Sequence, residues 1–193
     1  MAGKQAKVLT ATQISTVLLH LGSTRHAARD RVMFLLSAKA GMRAKEIACV
    51  RWSMVLTATG EVGDMIHLED KATKRASGRS IPINKELRAA LVELHSRGIR
   101  SPNHPVIFSE RGVGMTANTV VAWFSRLYQR LGFLGCSSHS GRRTFVTTAA
   151  KKVGMAGGSL RDVQQLVGHA SLAMTARYIE GDSDAKRKLV NLI

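Results

Sequence analysis

This chain of 193 residues has few acidic residues beside its basic ones, only two cysteines and no long apolar run. Cys49 and Cys136 stand alone, with no CxxC pair and no Cys/His ligand spacing. That excludes a disulfide framework and a zinc site, and fits a reducing compartment. No apolar run approaches membrane-spanning length, and the first residues, M-A-G-K-Q-A-K-V, lack an apolar signal core. The expectation is a cytoplasmic protein that does not enter a membrane. His-Glu-x-x-His, a Walker loop and a Gly-x-Ser-x-Gly elbow are also missing, which counts against a two-metal nuclease, a nucleotide hydrolase and a serine hydrolase. There is no internal repeat and no low-complexity segment.

What the chain does have is positive charge. Lys and Arg number 29 against 13 Asp and Glu, for a formal net charge of +16. A surplus of that size points to a polyanionic partner, because each phosphate neutralised by Lys or Arg releases condensed counterions. The basic residues are spread across the whole chain rather than forming a tail, which suggests a folded basic surface. A hydrophobic content of 45% is enough for one substantial core.

The periodicity predicts a mainly α protein with a small antiparallel β-sheet (α+β). Residues 1–9 read as a short, basic, flexible N-terminus. Thr10 and Gln13 form a capping box ahead of Ile14, Val17, Leu18 and Leu21. A second helix is expected from about Ser23 to Ala40, with Val32, Leu35, Leu36 and Ala40 on one stripe, and Gly41 to stop it. Arg43 then opens a third helix, with Glu46 within reach at i+3. Residues 53–83 read as two or three short strands, around Met54–Leu56, Met65–Leu68 and Ser80–Ile83, with Lys71, Lys74, Arg75 and Arg79 on a basic turn. Asn84 caps a helix to about Arg97. The next amphipathic helix ends near Leu131 and turns Val120, Val121, Phe124, Leu127 and Tyr128 inward. Ser138 or Ser140 starts the helix carrying Arg142 and Arg143, Ser159 caps the one ending at Gly168, and Ser171 caps one carrying Tyr178.

Cleaving a phosphodiester without a metal needs cations on the non-bridging oxygens, a nucleophile in line and a proton donor for the leaving oxygen. Arginine suits the first task, since its planar fork binds phosphate bidentately and stays charged. Tyrosine can be the nucleophile if nearby cations assist its phenol. Lysine or histidine can donate the proton.

The boxes Gly41-Met-Arg43-Ala-Lys-Glu46-Ile47, a basic turn ending in Ile81-Pro82-Ile83, His139-x-x-Arg142-Arg143-Thr-Phe145, Leu166-Val-Gly168-His169 and Tyr178 occur here in that order. Together they resemble the catalytic domain of tyrosine recombinases, the phage integrase family. The resemblance spans about residues 10–182 and implies that family's catalytic-domain fold. It implies that Arg43 and Arg142 clamp the scissile phosphate, with Glu46 orienting the first arginine. Lys74 would protonate the 5′-oxygen, with Lys71 as the fallback. His139 would assist proton transfer and His169 would hydrogen-bond the phosphate. Tyr178 would attack it, leaving a 3′-phosphotyrosyl link, and Gly168 would let its helix end close to the site. Lys71, Arg75, Arg79 and Arg143 would bind DNA.

The same resemblance implies double-stranded DNA as partner, no metal or other cofactor, and self-association into a tetrameric synapse, with a monomer when free. Members of the family usually carry a separate helical domain ahead of the catalytic one. Here only a few residues precede the first helix, so either a fragment or a short recombinase is expected. Half a clamp would bind DNA modestly and salt-sensitively. Residues 183–193, with Leu189, Val190, Leu192 and Ile193, are expected to form a helical tail that docks in trans on a neighbouring protomer. The alternatives are a type IB topoisomerase-like nicking and rejoining enzyme and a DNA-binding regulator without strand exchange.

Overall fold

The computed structural model describes residues 5–69, 78–98, 101–178 and 190–191. Helix α1 (Ala11–Gly22) starts at the expected capping box, with the Thr10 side chain accepting from Gln13 N–H and the Gln13 side chain accepting in return from Thr10 N–H. Helix α2 (Ala27–Ala40) lies at the centre. Every residue from Val32 to Ala38 is buried. A helix buried all round has no single apolar stripe, so the stripe expected from Val32, Leu35, Leu36 and Ala40 is only part of what α2 hides. Gly41 closes it in the left-handed region, at φ 63°.

Helix α3 (Ala44–Cys49) follows directly, with Arg43 at its N-cap rather than inside its first turn. The strand expected over Met54–Leu56 is not formed. Trp52–Met54 is instead a 3₁₀ turn, and Leu56 makes only an isolated bridge to Val62. Trp52 is fully buried there, its main-chain N–H donates to His104 O and its ring packs on the His95 ring at 4.8 Å. The sheet is therefore one antiparallel pair, β1 (Met65–Leu68) and β2 (Arg79–Pro82), in the register Met65↔Pro82 and Leu68↔Arg79. Ile66 and Ile81 face each other across it, both buried. Lys71, Lys74 and Arg75 lie outside the described residues.

Asn84 caps α4 (Lys85–Ser96) by accepting from Glu86 N–H at 3.0 Å, and Thr116 caps α5 (Ala117–Arg130). Val121 is exposed, contrary to its expected place in the α5 core stripe. Val120, Phe124, Leu127 and Tyr128 fill the stripe without it. Tyr128 stacks on Phe124 and Phe133, and burial, with Cys136 nearby, pushes its phenol pKa up. It is a core residue.

Helix α6 (Ser140–Lys152) packs across α2. Contact is close because Gly141 meets Ser37: a Cβ at 141 would sit 2.5 Å from the Ser37 hydroxyl and 3.2 Å from Ala38 N. The chain then forms α7 (Leu160–Val167) and α8 (Leu172–Ala176). Tyr178 stands just past α8, its N–H donating to Thr175 O at 3.1 Å. Two apolar clusters result. The large one gathers α1 to α5 and the hairpin, while Val146, Val163 and Val167 form a small second one against which Phe145 and Tyr178 pack.

The N-terminal segment is not loose where it is described. Lys7 N–H donates to Gly135 O at 3.1 Å and Leu9 N–H to the buried Thr144 hydroxyl at 2.8 Å. Leu9 itself is buried, so residues 5–9 are tied to the body rather than flexible as expected.

Because α6 carries Arg142 one residue after the tight crossing at Gly141, a side chain there should separate the helices. Gly141→Val is expected to destabilise the fold by about 1–3 kcal/mol, read as a lower urea midpoint.

Candidate active site

The site is assembled on the last turn of α7. Ser159 and Asp162 form a capping box at one end of this helix, and Gly168 ends it at φ 62°. A helix C-terminus leaves carbonyls without intrahelical donors and carries partial negative charge, so cations gather there. Three arginines from distant parts of the chain do so. Arg79 Nε donates to Leu166 O at 3.0 Å, Arg142 Nη2 to Val167 O at 2.8 Å and Arg43 Nη2 to Gly168 O at 3.4 Å. Arg142 also donates to Gly41 O at 2.5 Å, which ties the cluster to the end of α2. Gly168 has to be glycine on two counts: its φ is positive, and a Cβ would lie 2.9 Å from Arg79 Nη1.

Glu46 is the counter-charge. Its carboxylate, 1% exposed, accepts from Arg79 Nη1 at 2.9 Å and Nη2 at 3.0 Å. It also accepts from Arg43 Nη1 at 2.9 Å and Arg43 N–H at 2.8 Å. Burial pushes its pKa up, but the hydrogen bonds and charge of Arg79, then those of Arg43, outweigh this and leave it below the usual carboxylate range. Three guanidinium groups against one carboxylate leave the cleft electropositive. Arg142 feels the crowding: burial first, then Arg43 and Arg79, lower its pKa to about 9, with Glu46 and Tyr178 acting the other way. It remains a cation at neutral pH.

Beside this cluster lies an open cleft of about 440 Å³. Arg43, His139, Arg142, Arg143, His169 and Tyr178 line it, with Gln5 and Ala6 at its edge. His169 is 7% exposed and its Nδ1 meets the buried Thr175 hydroxyl at 3.0 Å. Its ring stacks on Tyr178 at 5.6 Å. Burial, and then the charges of Arg142, Arg43 and Arg79, lower its pKa to about 4. It is neutral at pH 7. His139, the N-cap of α6, is exposed at the mouth. A cleft with cationic forks, imidazoles and a phenol can hold a phosphodiester and bring an oxygen nucleophile to it.

The sequence-predicted Arg43, Glu46, His139, Arg142, Gly168, His169 and Tyr178 are thus brought together. Lys74, Lys71 and Arg75 fall outside the described residues. Two expected DNA contacts point elsewhere. Arg79 faces inward, its side chain 9% exposed on Glu46 and α7. Arg143 is half-buried, donating to Ala6 O at 2.8 Å and lying 5.9 Å from the centre of the Tyr178 ring. The inward turn of Arg79 was visible as alternation, since it shares a strand face with buried Ile81. Thr175 and the 5–9 segment carried no such signal.

The sequence profile of the phage integrase family matches residues 7–184. The chain belongs to that family. Among related proteins, it is 30% identical to the tyrosine recombinase XerC of Herpetosiphon aurantiacus over 92% of this chain and 57% of that protein. With XerC of Pelobacter propionicus it shares 27% identity over 78% of this chain and 47% of the relative. The chain spans about half the length of the curated relatives it matches. In fold it is similar to the Tn1549 transposon integrase in complex with transposon right end DNA, with a TM-score of 0.76 at 18% identity, covering 100% of this chain and 67% of that one. The XerA recombinase gives 0.70 at 23% identity, over 97% of this chain and 65% of the other. These likenesses establish the tyrosine-recombinase catalytic-domain fold for the mainly helical chain with its small sheet. No described helix is long and apolar enough to cross a membrane, and among the described residues no group of three His, Cys, Asp or Glu converges as metal ligands.

Two outcomes follow from the site's electrostatics. With a folded pKa of about 4 against an ordinary 6.5, the His169 contribution is present above pH 6.5 and lost as pH falls towards 4, because the unfolded chain takes up the proton first. Between pH 7 and pH 5 the wild type should therefore lose more thermal stability than His169→Gln. Removing the buried counter-charge strands Arg79 against Arg43, so Glu46→Gln should cost about 3–5 kcal/mol in urea denaturation.

Proposed function

We propose that this chain is the catalytic domain of a site-specific DNA recombinase that cuts and rejoins double-stranded DNA through a covalent 3′-phosphotyrosyl intermediate. The observation that carries this reading is the convergence of Arg43, Arg142, His139 and His169 with Tyr178 in one electropositive cleft of a phage integrase family fold. Arg43 and Arg142 hold the non-bridging oxygens of the scissile phosphate. Their guanidinium groups are already fixed by carbonyls and Glu46, so little reorganisation is needed as charge builds in the transition state. Tyr178 Oη attacks phosphorus and the P–O5′ bond breaks. Lys74 gives the proton to the departing 5′-oxygen, with Lys71 as the fallback. His139, exposed at the mouth, takes part in proton transfer with the phenol. His169, neutral and held by Thr175, hydrogen-bonds the phosphate.

The phosphotyrosyl bond keeps the energy of the phosphodiester, so a 5′-hydroxyl reverses the step without ATP, metal or other cofactor. On this reading the partners are double-stranded DNA and further copies of the chain, assembled as a tetrameric synapse, in the prokaryotic cytoplasm or nucleoid. The XerH recombinase bound to a palindromic difH substrate in a post-cleavage complex, similar in fold at a TM-score of 0.72, supports the DNA partner.

A cognate duplex nicked near the scissile phosphate loses its short fragment on cleavage and traps the intermediate. Wild type should accumulate a covalent protein–DNA adduct on a denaturing gel, and Tyr178→Phe none. No adduct from wild type would favour a DNA-binding regulator.

A further inference from the structure

The segment that enters the domain is bound to the same side chain that touches the nucleophile. Residues 5–9 cross the edge of the cleft, where Gln5 and Ala6 line it. Lys7 is pinned to the Gly135 turn by its N–H, and its side chain runs close over Gly135, whose φ is +82° and whose added Cβ would lie 3.0 Å from Lys7 Cε. Leu9 is buried and bonded to Thr144. In the same peptide unit as the anchored Lys7 N–H, the Ala6 carbonyl accepts from Arg143 Nη1 at 2.8 Å. The guanidinium of Arg143 in turn lies 5.9 Å from the Tyr178 ring centre, within cation–π range. Its Nε is buried and meets no hydrogen-bond acceptor among the described residues, so this group is not spread towards solvent.

We infer that Arg143 is a positioning residue for Tyr178, and that the segment Gln5–Leu9 sets where Arg143 stands. The inference rests on Tyr178 being the nucleophile only for its kinetic consequence; the placement of the ring does not depend on it. Tyr178 stands beyond the end of a five-residue helix. Its ring packs on a cluster of three valines and stacks on His169, and the Arg143 guanidinium adds the one cation within cation–π range of it among the described residues. A cation held at its face by the segment Gln5–Leu9 limits the ring's freedom and links it to movement of that segment.

The experiment uses the full chain with 3-fluorotyrosine, whose two sites, Tyr128 and Tyr178, give two fluorine resonances. Arg143→Met keeps the aliphatic stem and removes the cation. Lys7→Pro removes the N–H bonded to Gly135 and displaces the Ala6 carbonyl without touching Arg143. Both variants should shift the Tyr178 resonance in the same direction, leave that of buried Tyr128 in place, and combine without a further shift, as expected for one shared link. On the nicked duplex at saturating concentration, both should slow adduct formation about 10- to 100-fold while DNA affinity and its salt dependence hold. An unmoved Tyr178 resonance in Lys7→Pro overturns the inference. So does an Arg143→Met variant whose DNA affinity falls while its saturated rate is kept, since that marks a phosphate contact. Absence of any wild-type adduct would sink the proposed function alone, and the resonance shifts would still decide the placement of the ring.

Discussion

The last turn of one eight-residue helix holds this site together. The carbonyls of Leu166, Val167 and its cap Gly168 take one guanidinium each, and the three arginines come from the N-cap of α3, strand β2 and helix α6. Guanidinium groups repel one another, so gathering them requires acceptors that stay in place. Backbone carbonyls at a glycine-capped terminus provide that, because they have no intrahelical donor and are already aligned. Buried Glu46 supplies the one full negative charge and uses both oxygens to bind two of the three. Without α7, Glu46 would still pair Arg43 with Arg79, but Arg142 would lose the carbonyl that joins it to them.

That arrangement settles which groups are free to act. Arg79 uses its fork on Glu46 and the rest of its head on Leu166, so its role is structural support within the cluster. Arg43, with its side chain 28% exposed, keeps an open side towards the cleft. Burial, and then the cationic surroundings, also keep His169 neutral, which leaves it a hydrogen-bonding group rather than another charge. Electrostatic preorganisation of this kind costs little at the moment of reaction, since the dipoles and charges are fixed before any substrate arrives.

Helices with complete end signals were legible in the sequence. The Thr10 and Gln13 box, Asn84, Ser159 and Gly168 all mark real boundaries, because capping chemistry is local. Short apolar runs were not. Met54–Leu56 looks equally like a strand or a turn, and burial of Trp52 decided it. Val121 fitted a helical stripe by spacing yet faces out, because Val120 and Phe124 fill the available space. Of the site, Arg43, His139, Arg142, His169 and Tyr178 could be read from ordered motifs. The staple that unites them could not, since main-chain acceptors have no residue signature. Nor could the docking of residues 5–9, whose anchors Gly135 and Thr144 lie far along the chain.

The second, smaller apolar cluster has a mechanical meaning. Arg43, Glu46 and Arg79 stand on elements of the large core, while Tyr178 packs on three valines of α6 and α7. The cleft therefore straddles a seam between a heavy unit and a light one. Free energies of local opening follow how much apolar surface each unit buries. Arg43, Glu46 and Arg79 thus share the stability of the large core, whereas the Tyr178 ring is held mainly by the smaller cluster.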